Sequence, residues 1–464
     1  MSNTLKARIA ELFDEPGCAT NQKKGAKERK DGCKKPLLPG AAAGGCAFDG
    51  AKIALQPIAD AVHLVHGPAA CEGNGWDGRH TPSSGPTLYR LGLTTDLSEL
   101  DIVMGGAEKR LYKAIKEAVQ KHAPAAVFVY STCVPALIGD DVDAVCRHAT
   151  AKLGTPVVPV NAPGFAGSKN LGNKLAGEAL LDHVIGTIEP DNTTATDVNI
   201  IGEYNVAGEF WQVRPLLERA GIRVQACITG DSRYRQIASS HRARVNMMVC
   251  STALINVARK MQDRWGIPYF EGSFYGVENT STSLRTLASM LVTRGAPEAL
   301  IAQTEAVISS EEAKAKALLA PYRERLTGKR ALLYTGGVKS WSVITSLKEL
   351  GMEVIATSVR KSTSADKEKA LEQLGDESAL VDSIPPREMY ARLARGDADI
   401  LLSGGRTQFV ALKARVPWLD INQERAHAYS GYEGAVALAR AVDLELSNPL
   451  WADVRRKAPW EERG

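Results

Sequence analysis

The sequence predicts an α/β protein of three Rossmann-like domains, each a doubly wound parallel sheet, behind a mobile N-terminal arm. Three observations carry this expectation. Short apolar runs of strand length alternate with amphipathic helical stretches from Cys46 onward. Many of the runs lead into Gly, Ser, Thr or Asn, which suits strands that turn toward a following helix. The 464 residues suffice for about three domains at ~150 residues each.

Taken in order, Asn21–Lys35 is dense in lysine and Pro36–Gly45 is mostly Pro, Ala and Gly, so residues 1–45 read as the arm. Ala125–Thr132, Val157–Val160, Val198–Tyr204, Val224–Thr229, Val245–Cys250, Ala331–Thr335, Glu353–Val359, Ala398–Ser403 and Val416–Ile421 read as buried strands. Helical patterns such as Leu111–His122 and Glu311–Leu326 lie between them. Breaks near Pro190–Thr196 and Gly328–Lys329 divide the chain into domains at 46–190, 197–325 and 328–464.

Composition narrows the function. With 44% hydrophobic and 24% charged residues, disorder over most of the chain is excluded. The best apolar stretch, Pro124–Gly139, contains Ser131, Thr132 and Cys133 and falls short of the ~20 residues a membrane span needs. Met1–Leu12 carries charges and no apolar core of a signal peptide, so a cytoplasmic location is expected. Lys and Arg total 57 against 53 Asp and Glu, and a balance of +4 without a recognition motif gives no case for nucleic acid. Eight cysteines in so long a chain are core thiols or metal ligands, not a disulfide framework.

Ligands of open α/β sheets collect at the carboxyl ends of strands. There the sequence places Ser131-Thr132-Cys133, Gly164-Phe165, Cys250-Ser251, Gly336-Gly337, Gly404-Gly405 and Asn422. HExxH, GxSxG and CxxC are missing, and the phosphate-loop lookalike Gly45–Lys52 sets its Lys one residue late, so nucleotide binding is not expected. Gly336-Gly337 reads as a tight turn, with an anion-binding turn as the alternative. Cys46, Cys71 and Cys133 each lie in a turn where backbone approaches closely, which suits either cluster thiolates or structural thiols. Cys146 and Cys227 read as core thiols, and Cys18 and Cys33 as solvated residues of the arm. Cys250 ends a strand, and Ser251-Thr252 could cap a helix beginning near Ala253. Such a helix start would favour the thiolate, the alternative being a buried strand cysteine.

The wording GGCAFDGAKIALQPIADAVHLVHGPAAC, followed by YSTCVPALIGDDVDAV, resembles the nitrogenase component 1 family. IGEYNVAGEFW, HRARVNMMVCS, PYFEGSFYG and LYTGGVKSWS resemble its alpha-type scaffold subunits, which mature the iron–molybdenum cofactor. The resemblance implies three Rossmann-like domains per subunit and an α2β2 heterotetramer with a NifN partner. It implies that Cys46, Cys71 and Cys133 bind a [4Fe–4S] cluster whose fourth thiolate comes from that partner, and that Cys250 holds an eight-iron precursor of the cofactor. Molybdenum and homocitrate would join during maturation, and the product would pass to apo-nitrogenase. The implied further partners are the iron protein NifH, the precursor donor NifB and a carrier such as NifX.

Departures from the catalytic subunits argue against an independent catalyst. Where those read GFxGxSQSLGHH, this chain reads GFAGSKNLGNK, with Lys169 in place of the Gln and Asn173 in place of a His. Asn has no proton to titrate near neutral pH. The resemblance aligns Ser430 with the molybdenum-side histidine, with Asn422 as a neighbour and His427 as an alternative ligand. Ser or Asn would hold a metal more loosely than imidazole does. Arg79 and Lys339 match cationic family positions around the cofactor, Lys169 adds a third cation, and Gly336 and Gly337 join the same expected site. Arg360, Lys361 and Arg406 follow strand ends and read as solvated charges or as the lining of an access path. The rival readings are a dinitrogen-reducing alpha subunit, a tetrapyrrole reductase subunit and a metal-free chaperone.

Overall fold

The computed structural model describes residues 45–76, 81–85, 87–250, 252–359, 362–381, 384–422 and 427–456. The arm with Cys18 and Cys33, and also Arg79, Arg360 and Lys361, lie outside the described residues. The chain forms two compact units, one from Met1–Val206, Ile222–Glu271 and Thr293–Pro297, the other from Ala207–Gly221, Gly272–Val292 and Glu298–Gly464.

The first unit holds two four-stranded sheets. Strands β1 (Ala61–His66), β2 (Leu93–Thr94), β3 (Ala126–Ser131) and β4 (Val157–Asn161) lie in the order β2-β1-β3-β4. Strands β5 (Asp197–Glu203), β6 (Arg223–Thr229), β7 (Val245–Met248) and β8 (Tyr269–Glu271) lie in the order β6-β5-β7-β8. The second unit holds β9 (Arg330–Tyr334), β10 (Glu353–Ser358), β11 (Leu380–Val381), β12 (Ile400–Ser403) and β13 (Trp418–Asp420) in the order β11-β10-β9-β12-β13. Every neighbouring pair is parallel. The strand order therefore reverses between β1 and β3, between β5 and β7, and between β9 and β12. Those three switch points are where such sheets open a crevice for ligands.

Strand β1 was not among the runs legible as strands, because His63 and His66 interrupt its apolar pattern. Both imidazoles are buried and satisfied. His63 Nδ1 lies 2.7 Å from the Tyr130 hydroxyl and Nε2 lies 3.1 Å from the Ile58 carbonyl, with the ring stacked on Phe128. His66 bonds Thr95 and Asp140, each at 3.1 Å.

A single core joins the two sheets of the first unit. Phe48, Tyr130, Val160 and Leu171 belong to the same buried cluster as Ile201, Ile228, Met248 and Leu254. Helices α1 (Ala47–Leu55) and α4 (Lys169–His183) cross within that unit at two glycines. A Cβ on Gly50 would strike the Lys169 carbonyl, and one on Gly172 would strike the Ala47 carbonyl, so only glycine permits this approach. The second unit packs Leu332, Ala356, Met389, Leu401 and Ala411 about its own sheet. Among the described residues no helix is long and apolar enough to cross a membrane.

Candidate metal centre

Three of the expected cysteines meet at helix starts around the β1/β3 switch point. Cys46 is the N-cap residue of α1, Cys71 lies in the first turn of α2 (Ala69–Trp76), and Cys133 opens α3 (Cys133–Ile138). Neither Cys46 nor Thr132, the residue before α3, caps its helix with a side-chain hydrogen bond, so first-turn amides remain to favour negative charge. Gly164 lies between two of the thiols: a Cβ placed on it would stand 3.0 Å from both Cys46 Sγ and Cys133 Sγ. The two sulfurs thus face each other across the width of one missing side chain. Burial raises the Cys71 thiol pKa, the Cys133 and Cys46 thiols raise it further, and a hydrogen bond with Thr132 acts the other way.

All three thiols are free of disulfides and partly buried. Among the described residues no three His, Cys, Asp or Glu side chains converge tightly enough to hold a single metal ion. A cubane spreads its irons and takes its thiolates further apart, and three neighbouring thiols, two of them flanking a side-chain-free glycine, fit that larger group. Once thiolates bind iron, the repulsion that raises the Cys71 pKa is compensated by metal charge.

The surroundings of this ring were partly missed from sequence. Cys46 forms an isolated antiparallel bridge with Ser168, which brings the GFAGSKN segment against the cysteine. Lys169, expected to serve an anionic cargo, lies 2.7 Å from the Asp49 carboxylate, so its charge is engaged locally. Asn173 Oδ1 is buried and has no hydrogen-bond partner among the described residues. Next to Cys71, Glu72 forms a buried ion pair with Lys52 at 2.5 Å. Burial lowers the Lys52 pKa and raises that of Glu72, while their mutual attraction opposes both shifts. The lone Glu after Cys71 was the only signal for this pair. Cys146 and Cys227 are buried core thiols, as expected.

Cys250 follows β7 at the second switch point, half-buried. Opposite it, Gly202 at the end of β5 has φ +87, and a Cβ there would meet Cys250 Cβ at 3.0 Å. The expected helix start near Ala253 is corrected by the structure. Helix α5 begins at Ile255, after Leu254 in the left-handed region at φ 60, and no side chain caps it. Cys250 therefore lies beyond the first turn in which a helix dipole acts, and the argument for a dipole-favoured thiolate falls. Helix α5 (Ile255–Trp265) crosses α4 at Gly177, where Asn256 donates to the Lys174 carbonyl at 2.9 Å and to Glu178 at 2.7 Å.

In the second unit, Lys339 and Ser430 meet at a residue the sequence did not single out, Tyr275. Ser430 pairs with Tyr275 in an antiparallel bridge, and the Lys339 ammonium lies 5.2 Å from the Tyr275 ring centre while donating to the Ile421 carbonyl at 2.8 Å. Asn422 accepts a hydrogen bond from Thr335 at 3.1 Å and packs over Gly404. Gly337, with φ +65, donates its N–H to Ser362 at 3.1 Å, and it turns with Val338 into the helix Lys339–Glu349. Ser430 is buried at the start of the helix Gly431–Ser447 and lines a cavity of about 440 Å³ with Trp211 and Arg219. His427 and Arg406 are exposed.

Cysteines and glycines stand at the switch points of the sheets, so the chain is a doubly wound α/β protein with its candidate ligand-binding residues at the carboxyl ends of the strands. Residues 46–446 match the nitrogenase component 1 type oxidoreductases, and the chain belongs to that family. Two solved chains, "Nitrogenase Cp1 at pH 5" and "Nitrogenase Cp1 at pH 6.5", superimpose with TM-scores of 0.83 and 0.82 at 26% identity. They cover 95% and 97% of this chain and 99% and 100% of their own.

Within the family, the chain is similar over nearly its whole length to the nitrogenase iron-molybdenum cofactor biosynthesis protein NifE. Identity is 62% over 458 residues with NifE of Mesorhizobium japonicum, covering 99% of this chain and 92% of the relative. It is 62% over 458 residues with that of Rhizobium meliloti (99% and 96%) and 50% over 461 residues with that of Klebsiella pneumoniae (97% and 99%). These relatives place the chain among the family members named for cofactor biosynthesis in nitrogen fixation.

Proposed function

We propose that the chain is a scaffold subunit on which the iron–molybdenum cofactor is matured, and not a catalyst of dinitrogen reduction. The observation that carries cluster binding in this reading is the convergence of Cys46, Cys71 and Cys133 at three helix starts, with Gly164 between two of the thiols. Lys169, Asn173 and Ser430, in place of the Gln and His residues of the catalytic subunits, favour a scaffold over a catalyst. Three thiolates leave one iron of a cubane open, and that requires a ligand from outside the chain. Leu137 (72% exposed) and Ile138 (42%), which follow Cys133 in α3, and Phe165 (42%), which follows Gly164, supply apolar surface for the partner that brings it, a NifN-type subunit in an α2β2 assembly. When bound, the [4Fe–4S] cluster supplies electron-transfer chemistry at that interface.

The large precursor is cargo. Cys250 would anchor it through one thiolate, and Ser430, in place of an imidazole, lets it leave for apo-nitrogenase after molybdenum and homocitrate have joined. Lys339 contributes counter-charge beside Tyr275. The remaining partners in this reading are the iron protein NifH, the donor NifB and a carrier such as NifX, all in the cytoplasm.

The test is anaerobic iron and molybdenum analysis of the co-purified heterotetramer with electron paramagnetic resonance. Cys71→Ala should remove about one cubane of iron per chain and loosen the assembly, sparing the large-cluster signal. Cys250→Ala should do the reverse, with the large-cluster signal lost and the cubane kept. Normal loading of both clusters in both variants, or sustained ammonia formation with iron protein and ATP, would overturn the reading.

A further inference from the structure

At the opposite, amino-terminal edge of the β5–β8 sheet lies a second concavity that none of the cysteine chemistry uses. Its volume is about 500 Å³, within the range of small-molecule sites. One wall is the loop through Glu189 and Asp191, and the other carries His241, Arg242 and Arg244, just before β7. Trp265 and Arg294 complete it.

The charges do not cancel. Glu189 is consumed by Arg242, which holds it at 2.7 and 2.8 Å, and by His241 at 3.2 Å. That pairing pulls the Glu189 pKa down to about 2, first through the Arg242 hydrogen bond. Asp191 pairs with Arg235, and Asp197 at the start of β5 is taken by Arg223. The guanidiniums left over are Arg244, which makes no ion pair among the described residues, and Arg294, whose hydrogen bond goes to the Gly266 carbonyl at 3.2 Å. Both are exposed at the cavity. The same wall holds an orphan polar atom, since His241 Nδ1 is buried without a hydrogen-bond partner among the described residues while the ring packs on Trp265 at 5.7 Å.

We propose that this cavity binds a compact multivalent oxyanion, gripped by Arg244 and Arg294. Two planar forks without carboxylate partners, set in a concave wall, match the paired oxygens of a carboxylate or phosphate. The concavity excludes bulk water on one side and strengthens the attraction relative to an open surface. The already saturated Glu189–Arg242 pair stiffens the rim without competing for the ligand.

Isothermal titration of the full chain in its purified complex tests this with two probes, citrate and inorganic phosphate, in chloride buffer. Saturable one-to-one binding of either supports the site, and which probe binds distinguishes a polycarboxylate from a phosphate ligand. Arg244→Ala and Arg294→Ala should each weaken binding about tenfold, and the double variant should abolish it. Arg244→Lys, which keeps the charge and loses the fork, should fall between. Arg285→Ala, at an arginine that is paired with Glu305 and does not line the cavity, should leave affinity unchanged. Circular dichroism and iron content, equal in all variants, exclude a folding defect. Absence of saturable binding at millimolar probe, or binding that is unmoved by Arg244→Ala and Arg294→Ala, would overturn the proposal.

Discussion

Gly164 leaves the space between Cys46 and Cys133 open because it carries no side chain. Alanine there places its Cβ 3.0 Å from two cysteine sulfurs, so Gly164→Ala should cut iron incorporation at the three-cysteine ring by at least about half, with the protein's own stability changed by only ~1 kcal/mol. Iron analysis beside chemical denaturation separates the two effects. His63 gives a pH prediction with a definite sign. Burial, first of all, lowers its pKa from 6.5 to about 3, so between those values the unfolded chain binds a proton that the native chain refuses. Stability contributed by neutral His63 is present in full above pH 6.5 and is lost as pH falls toward 3, by up to ~1.4 kcal/mol per pH unit. His63→Gln should flatten the stability profile between pH 4 and 6 by up to one proton's slope; an unchanged slope would show that His63 does not supply it. At this scale the sequence revealed the cysteines, because turn and strand-end positions are legible. It named Gly164 only as a strand-end residue, without its place between two thiols, and it did not reveal Glu72 or Tyr275, whose roles arise from neighbours distant along the chain.

Elements were readable where a strand was long and unbroken. β3, β5 and β6 are six or seven residues long, each built on an apolar stretch, and coincide with the expected segments. β2, β8 and β11 are only two or three residues long and carry too little pattern to be seen. The start of α5 was misplaced because Leu254 adopts a left-handed conformation that Ser251-Thr252 gave no reason to expect. Helix crossings are equally invisible in one dimension. Gly172→Ala should improve the local helix propensity of α4 yet destabilise the first unit by ~1–3 kcal/mol, since its Cβ meets the Ala47 backbone of α1. Thermal unfolding checks the sign, and a stabilised variant would mean the two helices can part at no cost.

At the scale of the whole molecule, three sheets repeat one arrangement, with glycine or cysteine at the point where strand order reverses. The α/β class and parallel sheets were legible from alternation alone. That the first two sheets share a core was not, because a break such as Pro190–Thr196 looks the same in a linker between domains and in a loop within one body. The release half of the proposed function is testable here: Ser430→His should leave precursor loading normal and slow transfer to apo-nitrogenase severalfold, as imidazole is the stronger ligand. Equal transfer rates would direct attention to Asn422 or His427.

The shared core of the first unit has a mechanical consequence. Cys46, Cys71, Cys133 and Cys250 all project from one continuously packed body, and close-packed interiors deform little. In the proposed scaffold role that body acts as a gauge block, holding the three cysteines of the first sheet and Cys250 at a constant separation while cargo comes and goes. Whatever yields to admit or discharge a cluster must therefore be a loop on its surface or a segment outside it, never the span between the two sets of thiols.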